Sequence, residues 1–143
     1  MKLKKELEKI LRDICFIVKI EGRLVLKNYP ITAAQFDLLQ RLYFKGPMKM
    51  TELSTTLGIA KSTLSGIVQR LENIGYVSRI RGKDKRVFMI SVTEVGKSVV
   101  KSVIEKRVEF IGRVINAMGE ETSMELLRIL QRFKEEIEKC RNS

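Results

Sequence analysis

Eight residues past the middle of the chain are unusually rich in positive charge. Residues 79 to 86 read RIRGKDKR, in which five cations accompany one glycine and one carboxylate. Lysine and arginine at this density bind the phosphates of a polyanion, and arginine also enters the minor groove of DNA. A merely solvated surface is less consistent with cations confined to one short segment. We therefore expect the segment to contact nucleic acid through Arg81, Lys83, Asp84, Lys85 and Arg86.

A second group of polar side chains lies on a segment with helical periodicity. Leu64, Val68 and Leu71 recur at helical spacing and are assigned to a core. Hydroxyls near a helix N-terminus suit phosphates and base edges, and a glutamine can pair with adenine in the major groove. Alternatively, Ser62 and Thr63 only cap the helix. The predicted outward residues are Lys61, Ser62, Thr63, Ser65, Gly66, Gln69 and Arg70, and all of these except Gly66 are predicted to bind DNA.

The composition limits the chemistry that the chain can perform. It has 143 residues, with 28 basic and 17 acidic side chains and a net charge of +11, which favours a polyanionic partner. There is no histidine, so imidazole bases and histidine-ligated metals are excluded. Cys15 and Cys140 lie near opposite ends and form no zinc-finger spacing. No acid–base pair or phosphate loop is evident, so we expect neither an enzyme nor a cofactor or metal site.

The chain shows no targeting or membrane segment. The start MKLKKELEKI is basic but lacks the apolar run of a signal peptide, and charges interrupt every apolar stretch. We expect a soluble cytoplasmic protein with no membrane partner.

The elements that position both polar groups follow from the periodicity. Residues 51 to 77 read TELSTTLGIAKSTLSGIVQRLENIGYV, in which Gly58 allows a sharp turn between two short helices. This pattern predicts a helix-turn-helix. After Gly75 the period changes to two on both sides of residues 82 to 85, which predicts a β-hairpin. A cationic hairpin beside a helix-turn-helix is a wing.

Long amphipathic helices flank this unit. Apolar residues recur at helical spacing over residues 3 to 25, again after Thr93, where the helix is apolar on two sides, and after Gly119. A monomer would leave part of these surfaces uncovered, so we expect a homodimer. The predicted fold class is mainly α with a small β-hairpin wing. Residues 32–92 are expected to form the winged helix-turn-helix domain, and residues 1–31 and 93–143 the helical dimerisation region.

The chain resembles the MarR-type winged helix-turn-helix transcription factors. Three stretches carry the resemblance: residues 53–65, residues 70–77, and Asp84-Lys85-Arg86 followed by residues 90–96, where Val92 replaces a leucine common in the family. The resemblance implies a dimeric regulator, most often a repressor, that binds pseudo-palindromic double-stranded DNA and is released by a small molecule or an oxidant. It also implies that Arg86 is the minor-groove arginine and that Asp84 positions it; alternation along a strand likewise puts both on one side of the ribbon.

The release signal has two candidates. Cys15 resembles the sensing cysteine of organic-hydroperoxide regulators in this family, although a helical cysteine among apolar neighbours is more often buried and inert. The other candidate is an aromatic or anionic effector held near Arg23, Tyr29 and Phe36. An alternative hypothesis from a different functional class is an architectural protein that binds DNA without sequence preference, for which the net charge would be sufficient.

Overall fold

The computed structural model describes residues 2–84 and 86–143. Within them the chain forms six α-helices, a short 3-10 helix and three strands. The order is α1 (Lys2–Arg23), the 3-10 helix (Leu24–Asn28), α2 (Ala33–Lys45), β1 (Met48–Lys49), α3 (Met50–Leu57), α4 (Lys61–Asn73), β2 (Val77–Arg81), β3 (Phe88–Val92), α5 (Glu94–Met118) and α6 (Glu120–Asn142). The predicted fold class is confirmed.

Local signals set several of these boundaries. Thr32 and Gln35 form a capping box at the start of α2, with Gln35 N donating to Thr32 Oγ1 at 3.2 Å and Thr32 N donating to Gln35 Oε1 at 3.0 Å. Gly58 follows α3 with φ of 66°, a left-handed conformation that turns the chain toward α4. Ser54 Oγ donates to the carbonyl of Ile59 at 2.6 Å and so closes this turn.

The sheet has one more strand than the sequence predicted. β2 and β3 form the expected hairpin, with Val77 opposite Val92 and Arg81 opposite Phe88. β1 pairs with the other edge of β3, so the strand order is β1-β3-β2. A strand of two residues is too short to show a period in the sequence, which is why only the hairpin was predicted.

One hydrophobic core joins segments from Leu26 to Val103. It is built from Leu26, Phe36, Leu38, Leu39, Leu42, Leu53, Leu64, Val68, Leu71, Tyr76, Val77, Ile90, Val99, Val100 and Val103. It therefore includes residues from both predicted regions, and the division between them remains a prediction.

The apolar surface of α5 is divided differently from the prediction. Val99, Val100 and Val103 are buried, whereas Val108 and Ile111 in the second half of the helix are exposed. The burial of apolar residues in α5 therefore differs between the two halves of the helix and not between two of its faces, because only its first half passes over the core. α6 has no buried residue, and in α1 only Gly22 is buried. No helix within the described residues has the length and apolar character needed to cross a membrane.

Candidate nucleic-acid interface

α4 separates a buried apolar face from an exposed polar face. Leu64, Val68 and Leu71 are fully buried, as predicted. The helix begins at Lys61 after Ala60, and no side-chain hydrogen bond caps it. The alternative that Ser62 and Thr63 only cap the helix is therefore wrong, since both lie within its first turn. The exposed residues are Lys61, Ser62, Thr63, Ser65, Gly66, Gln69 and Arg70.

Gln69 is held in place on this exposed face. Its Nε2 donates to Oδ1 of Asn73 one turn later, at 2.9 Å. This bond uses one of the two N–H groups of the carboxamide and leaves the other N–H and the oxygen available. These are the two groups that a bidentate contact with adenine requires. The sequence did not indicate Asn73, although its spacing of four from Gln69 places both on one helix face.

The tip between β2 and β3 is a tight turn. Gly82 N donates to the carbonyl of Val87 at 3.1 Å, and Val87 N donates to the carbonyl of Asp84 at 3.0 Å. Asp84 Oδ1 accepts from the backbone N–H of Arg86 at 3.1 Å. The carboxylate thus fixes the backbone of the turn, and this contact does not involve the guanidinium of Arg86. Strand alternation, from which a side-chain contact was expected, does not apply within a turn.

The cations of the wing have different surroundings. Lys83 and Arg86 are exposed at the tip, whereas Lys85 lies outside the described residues. The guanidinium of Arg81 lies 4.8 Å from the centre of the Phe88 ring. Arg79 Nε lies 3.3 Å from Glu72 Oε1 and so connects β2 to α4. The sequence placed Arg79 among the tip cations, but in the structure it forms an ion pair with a carboxylate of α4.

The predicted effector residues are only partly brought together. Phe36 is fully buried, and the guanidinium of Arg23 lies 5.0 Å from the centre of its ring. Tyr29 Oη lies 2.9 Å from Ser102 Oγ. Burial raises the pKa of Tyr76, and Tyr29 adds to this effect. Of the three predicted residues, only Arg23 lines a cavity of about 350 Å³, together with Lys19, Asp37, Gln40, Val103 and Arg107.

Neither cysteine is buried. Cys15 was expected to be packed among apolar neighbours, but it is exposed because this part of α1 extends past the core. Cys140 is also exposed. Within residues 2–84 and 86–143, no group of cysteine and carboxylate side chains is arranged to hold a metal ion.

Comparison with known proteins supports the arrangement of α3, α4 and the wing. A model of the MarR family matches residues 31–88. The HTH-type transcriptional regulator YsmB of Bacillus subtilis is 32% identical over 135 residues, covering 94% of this chain and 92% of the relative. The transcriptional regulator Tm0710 of Thermotoga maritima has a TM-score of 0.91 and 44% identity, covering 97% of this chain and 99% of that structure. A MarR family protein of Bacillus stearothermophilus has a TM-score of 0.79 and 36% identity, covering 95% and 96%.

Proposed function

The chain belongs to the MarR family of DNA-binding transcriptional regulators, and from this we propose that it is a homodimeric repressor of a pseudo-palindromic operator. The family and its relatives are transcriptional regulators and not enzymes. Because the proposed partner is DNA, the proposed site of action is the cytoplasm. A small-molecule effector would release the DNA.

The exposed face of α4 carries this proposal. Its six polar side chains stand opposite a fully buried apolar face, so the helix presents base-reading groups without exposing the core. Gln69 offers a paired donor and acceptor to adenine, and Ser62 and Ser65 offer hydroxyls to phosphates or bases. Lys83 and Arg86 at the wing tip are proposed to bind the DNA backbone or minor groove.

The homodimer is supported by apolar surface that one chain leaves uncovered. A helix in water gains most of its stability from packing an amphipathic face, yet none of the 23 residues of α6 is buried. Its exposed apolar residues are Met124, Leu126, Leu127, Ile129, Leu130, Phe133 and Ile137. A matching stripe on α1 holds Leu3, Leu7, Ile10, Ile14 and Ile17. A second copy would cover both stripes with the same surfaces and would space two α4 helices for two operator half-sites.

The test compares two substitutions on operator and random duplexes. The operator would be recovered by sequencing genomic fragments that the purified protein retains. Gln69→Ala should reduce the preference for operator over random DNA, because a bidentate base contact is worth about 1–3 kcal/mol of discrimination. Lys83→Ala should weaken binding to both duplexes alike and reduce the salt dependence.

A control variant separates local contact from overall charge. Lys134→Ala removes one positive charge from α6, where the side chain lies near Glu138, and should leave both affinities nearly unchanged. An operator binder should prefer its site by about 1,000-fold or more. Equal affinity of the wild type for operator and random duplexes would favour the architectural alternative and contradict the proposal.

Oxidation of Cys15 is a second candidate for the release signal. Its exposure in the single chain favours this candidate, because a reactive thiol must be reached by the oxidant. The cavity beside Arg23 favours a small-molecule effector instead. Substitution of Cys15 distinguishes the two signals, because it should abolish the release of operator DNA only if the thiol is the sensor.

A further inference from the structure

The cavity where α1, α2 and α5 meet has an unbalanced charge. Its lining contains three cations, Lys19, Arg23 and Arg107, and one carboxylate, Asp37. Asp37 Oδ1 lies 2.5 Å from Arg23 Nη2, so this carboxylate is already engaged. Within the part of the chain that the structure describes, neither Lys19 nor Arg107 forms an ion pair. The lining therefore carries two positive charges in excess.

The position of Arg107 depends on a glycine. A Cβ added to Gly22 would lie 2.6 Å from Cγ of Arg107, closer than real Cβ atoms approach, and 3.0 Å from its Cδ, which is a tight contact. The aliphatic part of Arg107 therefore crosses α1 at the one buried position of that helix, where the backbone carries no side chain. This packing keeps the half-buried Arg107 on the lining of the cavity that Arg23 also lines.

We propose that this cavity binds a small dianion, such as a phosphate monoester or a dicarboxylate, in exchange for Asp37. A dianion would balance the two excess charges, and guanidinium groups bind both phosphate and carboxylate through paired hydrogen bonds. The lining offers one apolar side chain, Val103, and an amide from Gln40, which suits a small polar ligand better than an extended aromatic one. Asp37 occupies the guanidinium of Arg23 as an internal carboxylate until the ligand displaces it.

The exchange has a structural consequence. The Arg23–Asp37 pair joins α1 to α2, and α2 contributes Phe36, Leu38 and Leu39 to the core of the helix-turn-helix. Displacement of Asp37 would break this connection and loosen α2 relative to α1. This identifies the chemistry of effector release and in that respect rests on the proposed function.

The experiment measures ligand binding without DNA. Isothermal titration calorimetry of the full chain would use inorganic phosphate and succinate as probes, with acetate as a monoanion and chloride to match ionic strength. A dianion should bind more tightly than acetate, and the two probes distinguish a phosphate site from a dicarboxylate site. Circular dichroism would verify that each variant is folded.

Three variants give effects of different sign. Arg107→Gln removes one of the cations that would contact the dianion and should weaken binding of the dianion about tenfold. Asp37→Asn removes the competing carboxylate and should strengthen binding about tenfold by the same electrostatic argument. Lys101→Gln removes a charge from an exposed position of α5 outside the cavity and should have little effect.

The outcomes separate this inference from the proposed function. No binding of either dianion by a protein that still binds its operator would overturn the site alone. Dianion binding by a protein without operator preference would support the site and contradict the repressor. Equal losses in Arg107→Gln and Lys101→Gln would show non-specific attraction and overturn the site, and weaker binding in Asp37→Asn would overturn the exchange.

Discussion

Gly96 lies at the start of α5, where the helix leaves the wing, and its replacement by alanine should destabilise the protein. A Cβ at this position would lie 2.2 Å from the carbonyl oxygen of Tyr76 and 2.8 Å from Cγ2 of Val92. The first distance is about 0.8 Å shorter than the closest approach that Cβ atoms make. The carbonyl cannot easily turn away, because it accepts a hydrogen bond from Thr93 N at 3.0 Å.

The size of the effect follows from the contacts that must shift. Overpacking a well-packed site costs about 1–3 kcal/mol. Thr93 Oγ1 donates to the carbonyl of Gly75 at 2.6 Å and accepts from Gly96 N at 3.1 Å, and each strained bond costs about 1 kcal/mol. Alanine returns about 1 kcal/mol through its higher helix propensity. The free energy of unfolding should therefore fall by about 2–4 kcal/mol, which corresponds to a Tm lower by roughly 10 °C.

The assay is urea unfolding followed by far-ultraviolet circular dichroism, since the chain has no tryptophan. Protein concentration must be constant, because dimerisation would make stability depend on it. The control is Gly66→Ala in α4, where an added Cβ meets no atom within 4 Å. This variant should be more stable by about 1 kcal/mol, because only the helix propensity changes.

Substitution by alanine should therefore lower the free energy of unfolding at Gly96 and raise it at Gly66. If Gly96→Ala were as stable as the wild type, the close approach of α5 to Tyr76 would not require a glycine at position 96. If Gly66→Ala lost as much stability as Gly96→Ala, the effect could not be assigned to the close approach.

Three further predictions concern assembly, pH and oxidation. Light scattering should give twice the 16.5 kDa chain mass. Leu130→Asp on the apolar stripe of α6 should lower the measured mass to that of a single chain, whereas Lys134→Asp should not change it. A folded wild-type monomer would contradict the dimer. Burial raises the pKa of Tyr76 above its ordinary value of 10.0, so the folded state holds this proton more tightly than the unfolded state. The resulting stability is present below pH 10.0 and is lost as the pH rises through the raised pKa. In urea unfolding, Tyr76→Phe should lack this part of the loss of stability at alkaline pH. The same pH dependence in Tyr76→Phe and the wild type would refute this prediction. Cumene hydroperoxide should release operator DNA from neither the wild type nor Cys15→Ser in a mobility-shift assay, because we expect a small-molecule effector; release of the wild type and Cys140→Ser but not of Cys15→Ser would identify Cys15 as the sensor.

Short-range patterns in the sequence determined the order and type of most elements. Thr32 and Gln35 set the start of α2 through a capping box, which is made within four residues. Gly58 predicted the turn of the helix-turn-helix because its conformation is local. The change from a period of 3.6 to a period of two predicted the wing, since alternation depends only on backbone geometry. The resemblance to the MarR family, based on short motifs, is confirmed for the same reason.

The site environments were decided by tertiary structure. Arg23 meets Asp37 fourteen residues away, and Arg107 crosses Gly22 only because α1 and α5 pack together. Arg79 was grouped with the cations of the wing, but the packing of β2 against α4 brings it to Glu72. Such contacts depend on how whole elements are oriented, and the local period of a helix or strand does not specify that orientation. The exposed polar face of α4 could therefore be predicted from the sequence, whereas the partners of the site residues and the exposure of Cys15 required the packed fold.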